Sequence, residues 1–451
     1  MSRLNRRDFI KSAGVLTGSA LLARPILANA PQTEPSTDPM SRVVVVTDDA
    51  CTTGTTIHPD IVQVLIDEGI KCYTEITNLG EAWRSIFPGI TSNSVIGIKV
   101  NCINSSVPSN PETAQAIVNG LTQMPVPGGF DPNNIIIWDR TNSELQSGGY
   151  TLNTGTTGVR CYGTNQSGVG YIYSINLNVN GVTSHPSRIF AEQIDYLINL
   201  AVIKDHSSSG ATMCLKNHYG SVSNIGSMHG GNCDPYIPSL NQQLGEVLGD
   251  KEKFRIIDSI FGVNSGGPGG SIDFIYNGMI MGEDIVSVDH IGLDILVENG
   301  MNHAWQATHI ETASQPLYNL GNYNSSLIER INIENPSTYT PHSVTIVIAP
   351  VGAPIVIPAG GGSFNYTVQI VNNEANTVDF NTWTLVQIPS GSMYGPLLFR
   401  ALELPAGGSI NRTMSQFVPP GAPPGEYQFI ARVGEYPAHV WNENLFLFTK
   451  E

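Results

Sequence analysis

At 451 residues the chain is long enough for two or three domains, each with its own core. Its net charge is −16 with only 13% charged residues, which excludes nucleic acid and anionic lipid as partners because an acidic surface repels both.

The first thirty residues read as an address label. Asn5-Arg6-Arg7-Asp8-Phe9-Ile10-Lys11 precedes a short apolar run, Ala13 to Leu22, and then Ala28-Asn29-Ala30. Paired arginines, a brief hydrophobic stretch and an A-x-A site predict a twin-arginine signal peptide at 1–30, cleaved after Ala30. Gly14, Thr17, Gly18 and Ser19 interrupt the run, and a bilayer span needs about 20 apolar residues. No other segment is a membrane-span candidate, so a periplasmic or extracellular protein is expected. The segment carries five basic side chains and one acidic one, so removing it takes the net charge from −16 to −20.

Residues 31–40 form a polar, Pro-rich linker. From there to 335 short apolar strands alternate with helical segments. Val43 to Thr47 is a β-branched run suited to a strand buried on both faces. Pro59 opens a helix with Ile61, Val62, Leu65 and Ile66 on one side. Val95 to Val100 and Asn134 to Trp138 are strands, with a helix from Asn110-Pro111 to Leu121 between them. Tyr196 to Ile203, Phe254 to Ile257 and Ile272 to Ile280 continue the series, and Tyr236 to Leu248 and Ile285 to Asn299 read as helices. This rhythm predicts an α/β domain with a mainly parallel layered sheet, its ligand site beyond the strands' carboxyl ends.

After Asn335-Pro336 the pattern becomes Pro/Gly-punctuated β. Seven short strands between Val344 and Phe448 predict an all-β immunoglobulin-like sandwich over 336–451. It contains no cysteine, and its expected role is that of a spacer or of a module docking an envelope protein partner.

The mature chain has seven lysines, and three of them sit at apolar strand ends or in a Gly-bounded turn. These are Lys99, Lys204 and Lys216. Drawing an ammonium into such surroundings costs several kcal/mol unless a carboxylate or an anionic ligand compensates it. Asp139, Asp205, Asp258, Asp284 and Asp289 are placed to be the carboxylates. The alternative is a cleft for a small anionic molecule, built from Lys99, Asn101, Lys216 and Asn217 with Asp258 and Asp289 in support. In an enzyme, Lys204 or His206 would be the acid/base.

His206, His218 and His229 lie among Asp205, Cys214, Cys233 and Asp234, which makes a divalent metal a third option, with His206 and His229 as its ligands. The spacing matches no metal motif, and no pair of the six cysteines has the C-x-x-C spacing of an iron–sulfur or zinc site. Asn264-Ser265-Gly266-Gly267-Pro268-Gly269-Gly270 has neither a P-loop nor a dinucleotide-binding order, and a flexible rim loop is expected there.

Four motifs in order resemble the family named domain of unknown function 362. Ile98-Lys99-Val100-Asn101 with Pro111-Glu112 is similar to its "IKPN…PE" opening. Val202-Ile203-Lys204-Asp205-His206 through Leu215-Lys216-Asn217 and Gly220 is similar to its "LKTH…LKN–G" centre. Ile257-Asp258-Ser259 with Gly266-Gly267-Pro268-Gly269 resembles its "DG…GP–G" turn, and Asp284 with Val288-Asp289 its closing helix. Val100 and Asp205 depart from the usual Pro and Thr. The resemblance covers about residues 43–310 and implies fold and site location but no reaction. The Cys-rich ferredoxin segment that many members carry is missing here. Two functional classes stay open: an exported enzyme acting on a small anion, or a non-catalytic envelope or surface binding protein.

Overall fold

The computed structural model describes residues 40–451. The expected signal peptide and, apart from Met40, the expected linker lie outside the described residues. The described chain forms two compact units that part between Tyr339 and Thr340, where composition suggested 335/336. The turn after Asn335 stays with the first unit because the Ser337 amide donates to Asp48 Oδ2 at 2.8 Å.

In chain order the main elements of the first unit are β1 (Ser41–Thr47), α1 (Pro59–Thr74), α2 (Leu79–Ile86), β2 (Ile96–Lys99), α3 (Pro111–Leu121), β3 (Ile135–Trp138), β4 (Arg160–Cys161) and β5 (Tyr196–His206). They continue with α4 (Met213–Asn217), α5 (Tyr236–Leu248), β6 (Glu252–Val263), β7 (Phe274–Gly282), α6 (Ile285–Glu298), α7 (Thr308–Ser314) and β8 (Ile328–Glu334). With the two-residue strand Gly210–Ala211 they build a nine-stranded sheet in the order β8-β1-β7-β6-β5-β2-β3-β4.

Val43 to Val46 are at most 2% exposed, as a β-branched strand flanked by two partners and covered on both faces must be. Pro59 starts α1, which buries Val62, Leu65, Ile66 and Ile70, each worth about 1.5–3 kcal/mol when fully removed from water. In α6 every residue from Ile285 to Leu293 is buried, so that helix lies inside the unit rather than on its surface.

The sheet is mixed: five of the seven pairings along this order are parallel and two antiparallel, so the expected mainly parallel sheet carries one reversed strand. Strands β6, β5, β2, β3 and β4 run parallel, but β7 is antiparallel to both β6 and β1. The cause is the Gly-rich segment 264–273. It folds β7 directly back on β6 as a hairpin, whereas a parallel neighbour would need a crossover of a dozen or more residues.

Chain order and sheet order diverge at β2. Strands β3 and β4 are added on one side of it, β5 and β6 on the other. In a parallel sheet such a reversal opens a crevice beyond the carboxyl ends of the strands. Here Lys99 ends one flanking strand and His206 the other.

The second unit is all β: β9 (Val344–Val351), β10 (Val356–Ile357), β11 (Gly362–Asn372), β12 (Val378–Gln387), β13 (Met393–Leu404), β14 (Ser409–Val418), β15 (Gly425–Glu435) and β16 (His439–Lys450). They form sheets ordered β9-β11-β14 and β10-β16-β15-β12-β13. Buried and exposed residues alternate along β9 and most of β11, the pattern of a sheet with one packed face. Phe364 and Tyr366 of the smaller sheet share one apolar core with Phe429, Phe446 and Phe448 of the larger.

Candidate functional site

Lys99, at the end of β2, has a side chain 1% exposed. Its Nζ donates to Asp139 Oδ1 and to the Val100 carbonyl at 2.7 Å each, and to Asn217 Oδ1 at 3.2 Å. Asp139, one residue beyond β3, also accepts the Arg140 and Cys102 amides at 2.8 and 2.7 Å. Gly220 gives this pair room: a Cβ there would sit 2.8 Å from Lys99 Nζ and 2.9 Å from Asp139 Oδ1.

Lys204, in β5, is completely buried. Its Nζ donates to Asn101 Oδ1 at 2.8 Å, and Asn101 Nδ2 donates in turn to Asn217 Oδ1 at 3.1 Å. Two amides therefore link Lys204 to Lys99, and the chain ends at the single carboxylate of Asp139. Burial lowers the Lys204 ammonium to about 8.

Lys216 comes from α4, which Asp289 holds by accepting the Cys214 and Leu215 amides at 2.8 Å each. The helix begins at Met213 with φ 47°, a conformation that costs a non-glycine residue on the order of 1–3 kcal/mol. Lys216 is 5% exposed and makes no hydrogen bond or ion pair with any described residue. Its Nζ stands 3.8 Å from the centre of the Tyr219 ring, a cation–π contact that offsets part of the burial. Burial lowers Lys216 to about 8 as well. The neighbouring Cys233 thiol, pushed up by its own burial, supplies no negative charge at neutral pH.

Two imidazoles stand beside it. The Ser208 amide donates to His206 Nδ1 at 3.0 Å, so in neutral His206 the proton is on Nε2. Burial first, then the charge of Lys216, pushes His206 down to about 3. His229 Nδ1 lies 2.9 Å from the Ile225 carbonyl. That nitrogen must therefore be the donor, which leaves Nε2 with a lone pair. Burial also lowers His229. The rings stack 6.0 Å apart, and Tyr219 meets His229 edge-on at 5.2 Å.

Lys99, Asn101, Asp139, His206, Lys216 and Asn217 line one open cleft with Tyr219, Gly220, His229 and Pro268. Arg140 and Glu144 complete the wall as an ion pair with each other. Within the cleft lining Lys99 is matched by Asp139 and Arg140 by Glu144. Lys216, and Lys204 behind Asn101, have no carboxylate of their own.

Several expectations need correction. Lys204 does not line the cleft; it reaches it through Asn101. Asp258 accepts the Asn110 amide, Asn110 Nδ2 and Thr113 Oγ1 at 2.8, 3.0 and 2.8 Å, fixing the start of α3 rather than facing a ligand. Asp289 likewise serves the backbone of α4. Burial pushes these two carboxyls up, to about 6 and about 7.

No group of three or more metal-capable side chains converges among the described residues. His206 and His229 are stacked side by side, and both nitrogens of neutral His206 are committed, one as an acceptor and one as N–H. The Gly-rich segment is anchored, since Gly267 N donates to Asp205 Oδ1 at 2.7 Å and Asn104 Nδ2 to the Gly270 carbonyl at 2.7 Å. A Cβ on Gly267 would lie 2.2 Å from Asp205 Oδ1.

Sequence reasoning missed Tyr219 and His309. Tyr219 follows Lys216 by three residues, a spacing that sets two side chains on one side of a helical turn, so it was within reach of pattern reading. His309 lies in α7 and is fully buried. Burial and the charge of Lys216 lower it to about 3. No local motif announces it.

Fold and site together define a mixed α/β unit with a cationic cleft at the reversal point of its sheet. Residues 96–294, from β2 into α6, match the family model described as Domain of unknown function (DUF362). No curated protein matches the chain. Among solved structures, the CARDB domain of a Pyrococcus furiosus protein is similar at 18% identity over 25% of this chain and 96% of that one, with a TM-score of 0.19. A Bacteroides uniformis beta-glucuronidase is similar at 10% identity over 23% and 13% of the two chains, TM-score 0.19. The Pseudomonas fluorescens alkylpurine DNA glycosylase AlkC is similar at 14% identity over 36% and 47%, TM-score 0.21.

Proposed function

We propose that the α/β unit binds a small anion in the cleft and that the protein does so after export. One observation carries this reading: Lys216 is 5% exposed, lines the cleft and has no anionic or hydrogen-bonding partner among the described residues. A buried charge without a partner costs several kcal/mol, and a carboxylate or phosphate in the cleft would remove that cost. The Nε2–H of His206 supplies a neutral donor for the same ligand.

Export by the twin-arginine route to the periplasm or beyond rests on the first thirty residues. The six cysteines, all buried and free, suit a chain that folds in a reducing compartment before translocation. The C-terminal unit, read as an immunoglobulin-like sandwich, is the docking module for an envelope partner. In the second functional class, binding is the whole activity.

The test is a thermal melt of the full chain with acetate, phosphate or sulfate, alongside Lys216→Met. Wild type should gain about 3 kcal/mol at a hundredfold excess over Kd, while the variant gains nothing. If none of the three anions stabilises wild type, the reading fails.

A further inference from the structure

We propose that Lys216 is a covalent site, condensing through Nζ with the carbonyl carbon of a small 2-oxo acid to form an imine. The proposal rests on the anion reading above and names the ligand as an anion that also carries a ketone or aldehyde.

Three features of the geometry support it. Lys216 is held in a cleft with no ion pair or hydrogen bond to fix its proton, so loss of that proton gives up only the cation–π contact with Tyr219. The groups around it are the Tyr219 ring, the Cys233 thiol and the imidazoles of His206, His229 and His309, none of them a carboxylate. An amine in such surroundings is partly neutral near pH 8, the state in which it is a nucleophile.

The two cleft imidazoles are held in complementary states by their backbone partners. His229 Nε2 offers a lone pair, because its Nδ1–H is spent on the Ile225 carbonyl. His206 Nε2–H offers a hydrogen bond, because its Nδ1 is occupied by the Ser208 amide. Condensation needs both functions in one place. The lysine ammonium gives a proton to an acceptor such as His229, and neutral Nζ then attacks the carbonyl carbon. The C=O π bond becomes a C–O bond whose oxygen accepts a hydrogen bond from the neutral His206 Nε2–H and takes its proton from Nζ, leaving a neutral carbinolamine and a protonated His229 that returns its proton to the departing hydroxyl. The carbinolamine loses its hydroxyl, reprotonated, as water. The balance is one ammonium plus one carbonyl giving one protonated imine and one water, with no net gain or loss of electrons or protons. The substrate's carboxylate meets the positive excess left by Lys204 behind Asn101.

The experiment is reductive trapping on the full chain. Protein is incubated at pH 8 with pyruvate or with acetone, which lacks the carboxylate, each with sodium cyanoborohydride. Intact mass and peptide mapping then locate the adduct, and acetate stabilisation is measured in parallel. One N-carboxyethyl group on Lys216 is expected with pyruvate, and about tenfold less adduct with acetone, equivalent to about 1.4 kcal/mol. Lys216→Arg, which keeps the charge but cannot form the imine, should lose the adduct while remaining folded. Adducts spread over the other lysines, or none at Lys216, overturn the proposal. If acetate still stabilises the protein in that case, the imine alone fails. If acetate has no effect either, the anion site fails with it.

Discussion

Lys216 and Asp139 show at the scale of single residues how the lining of one cleft gives opposite outcomes. Asp139 is matched by Lys99 and two backbone amides, so its charge is compensated. Lys216 meets only an aromatic face and neutral rings. With the ammoniums of Lys204 and Lys216 at about 8 in the folded chain and near 10.4 when unfolded, the unfolded chain binds more protons between those values. The contribution of these two groups to stability therefore rises with pH as they lose their charge. The six buried thiols act in the opposite direction over the same range, because they titrate near 8.5 in the unfolded chain and are pushed up by burial in the folded one. The lysine contribution is therefore read from the difference between wild type and Lys216→Met. Chemical denaturation from about pH 7 to about pH 9 should show wild type gaining on the variant as pH rises. A difference that does not change with pH would mean the ammonium is compensated after all.

Among the elements, α4 matters most, and it is too short to hold itself. A helix of five residues has too few internal hydrogen bonds to offset its nucleation cost, and its first residue has a left-handed backbone. What fixes it is the bidentate acceptance of two amides by Asp289 from α6, together with Asn241 Nδ2, which donates to the Leu215 carbonyl at 2.9 Å. Asp289→Ala would leave two buried N–H groups unpaired, at about 1–3 kcal/mol each. The expected result is a loss of about 2–5 kcal/mol in urea unfolding and loss of anion stabilisation, although Asp289 is not among the cleft-lining residues. An Asp289→Ala protein that still responds to acetate like wild type would show that α4 is positioned by something else.

For the whole molecule, the sequence made some levels of organisation legible and hid others. Periodicity located β1, β2, β3, α3, α5 and α6 closely, because each is a continuous apolar pattern with a cap or a flanking turn. It missed α4, whose residues resemble a Gly-bounded turn, and β8, which is recruited as the parallel partner of β1 from nearly three hundred residues away. Residue type identified the rare lysines, and the positions of Lys99 and Lys216 follow from it. That Lys204 would turn towards Asn101, and that Asp258 and Asp289 would serve backbone amides, depends on tertiary contacts that no local pattern encodes. The six buried cysteines give a molecule-wide expectation. None should react with a thiol reagent in the native protein and all six should react in guanidinium chloride. Fewer than six on unfolding would reveal a disulfide.

The central claim is that the ammonium of Lys216 is a charge the protein leaves for a ligand to neutralise. The most direct measurement is the unfolding free energy of wild type and Lys216→Met at pH 7, each with and without saturating acetate. Without acetate the variant should be the more stable by about 1–3 kcal/mol, because a buried charge has been exchanged for an apolar chain of similar shape. With acetate only wild type should gain, closing or reversing the gap. A variant that is less stable than wild type in plain buffer, with an unchanged response to acetate, would contradict the account.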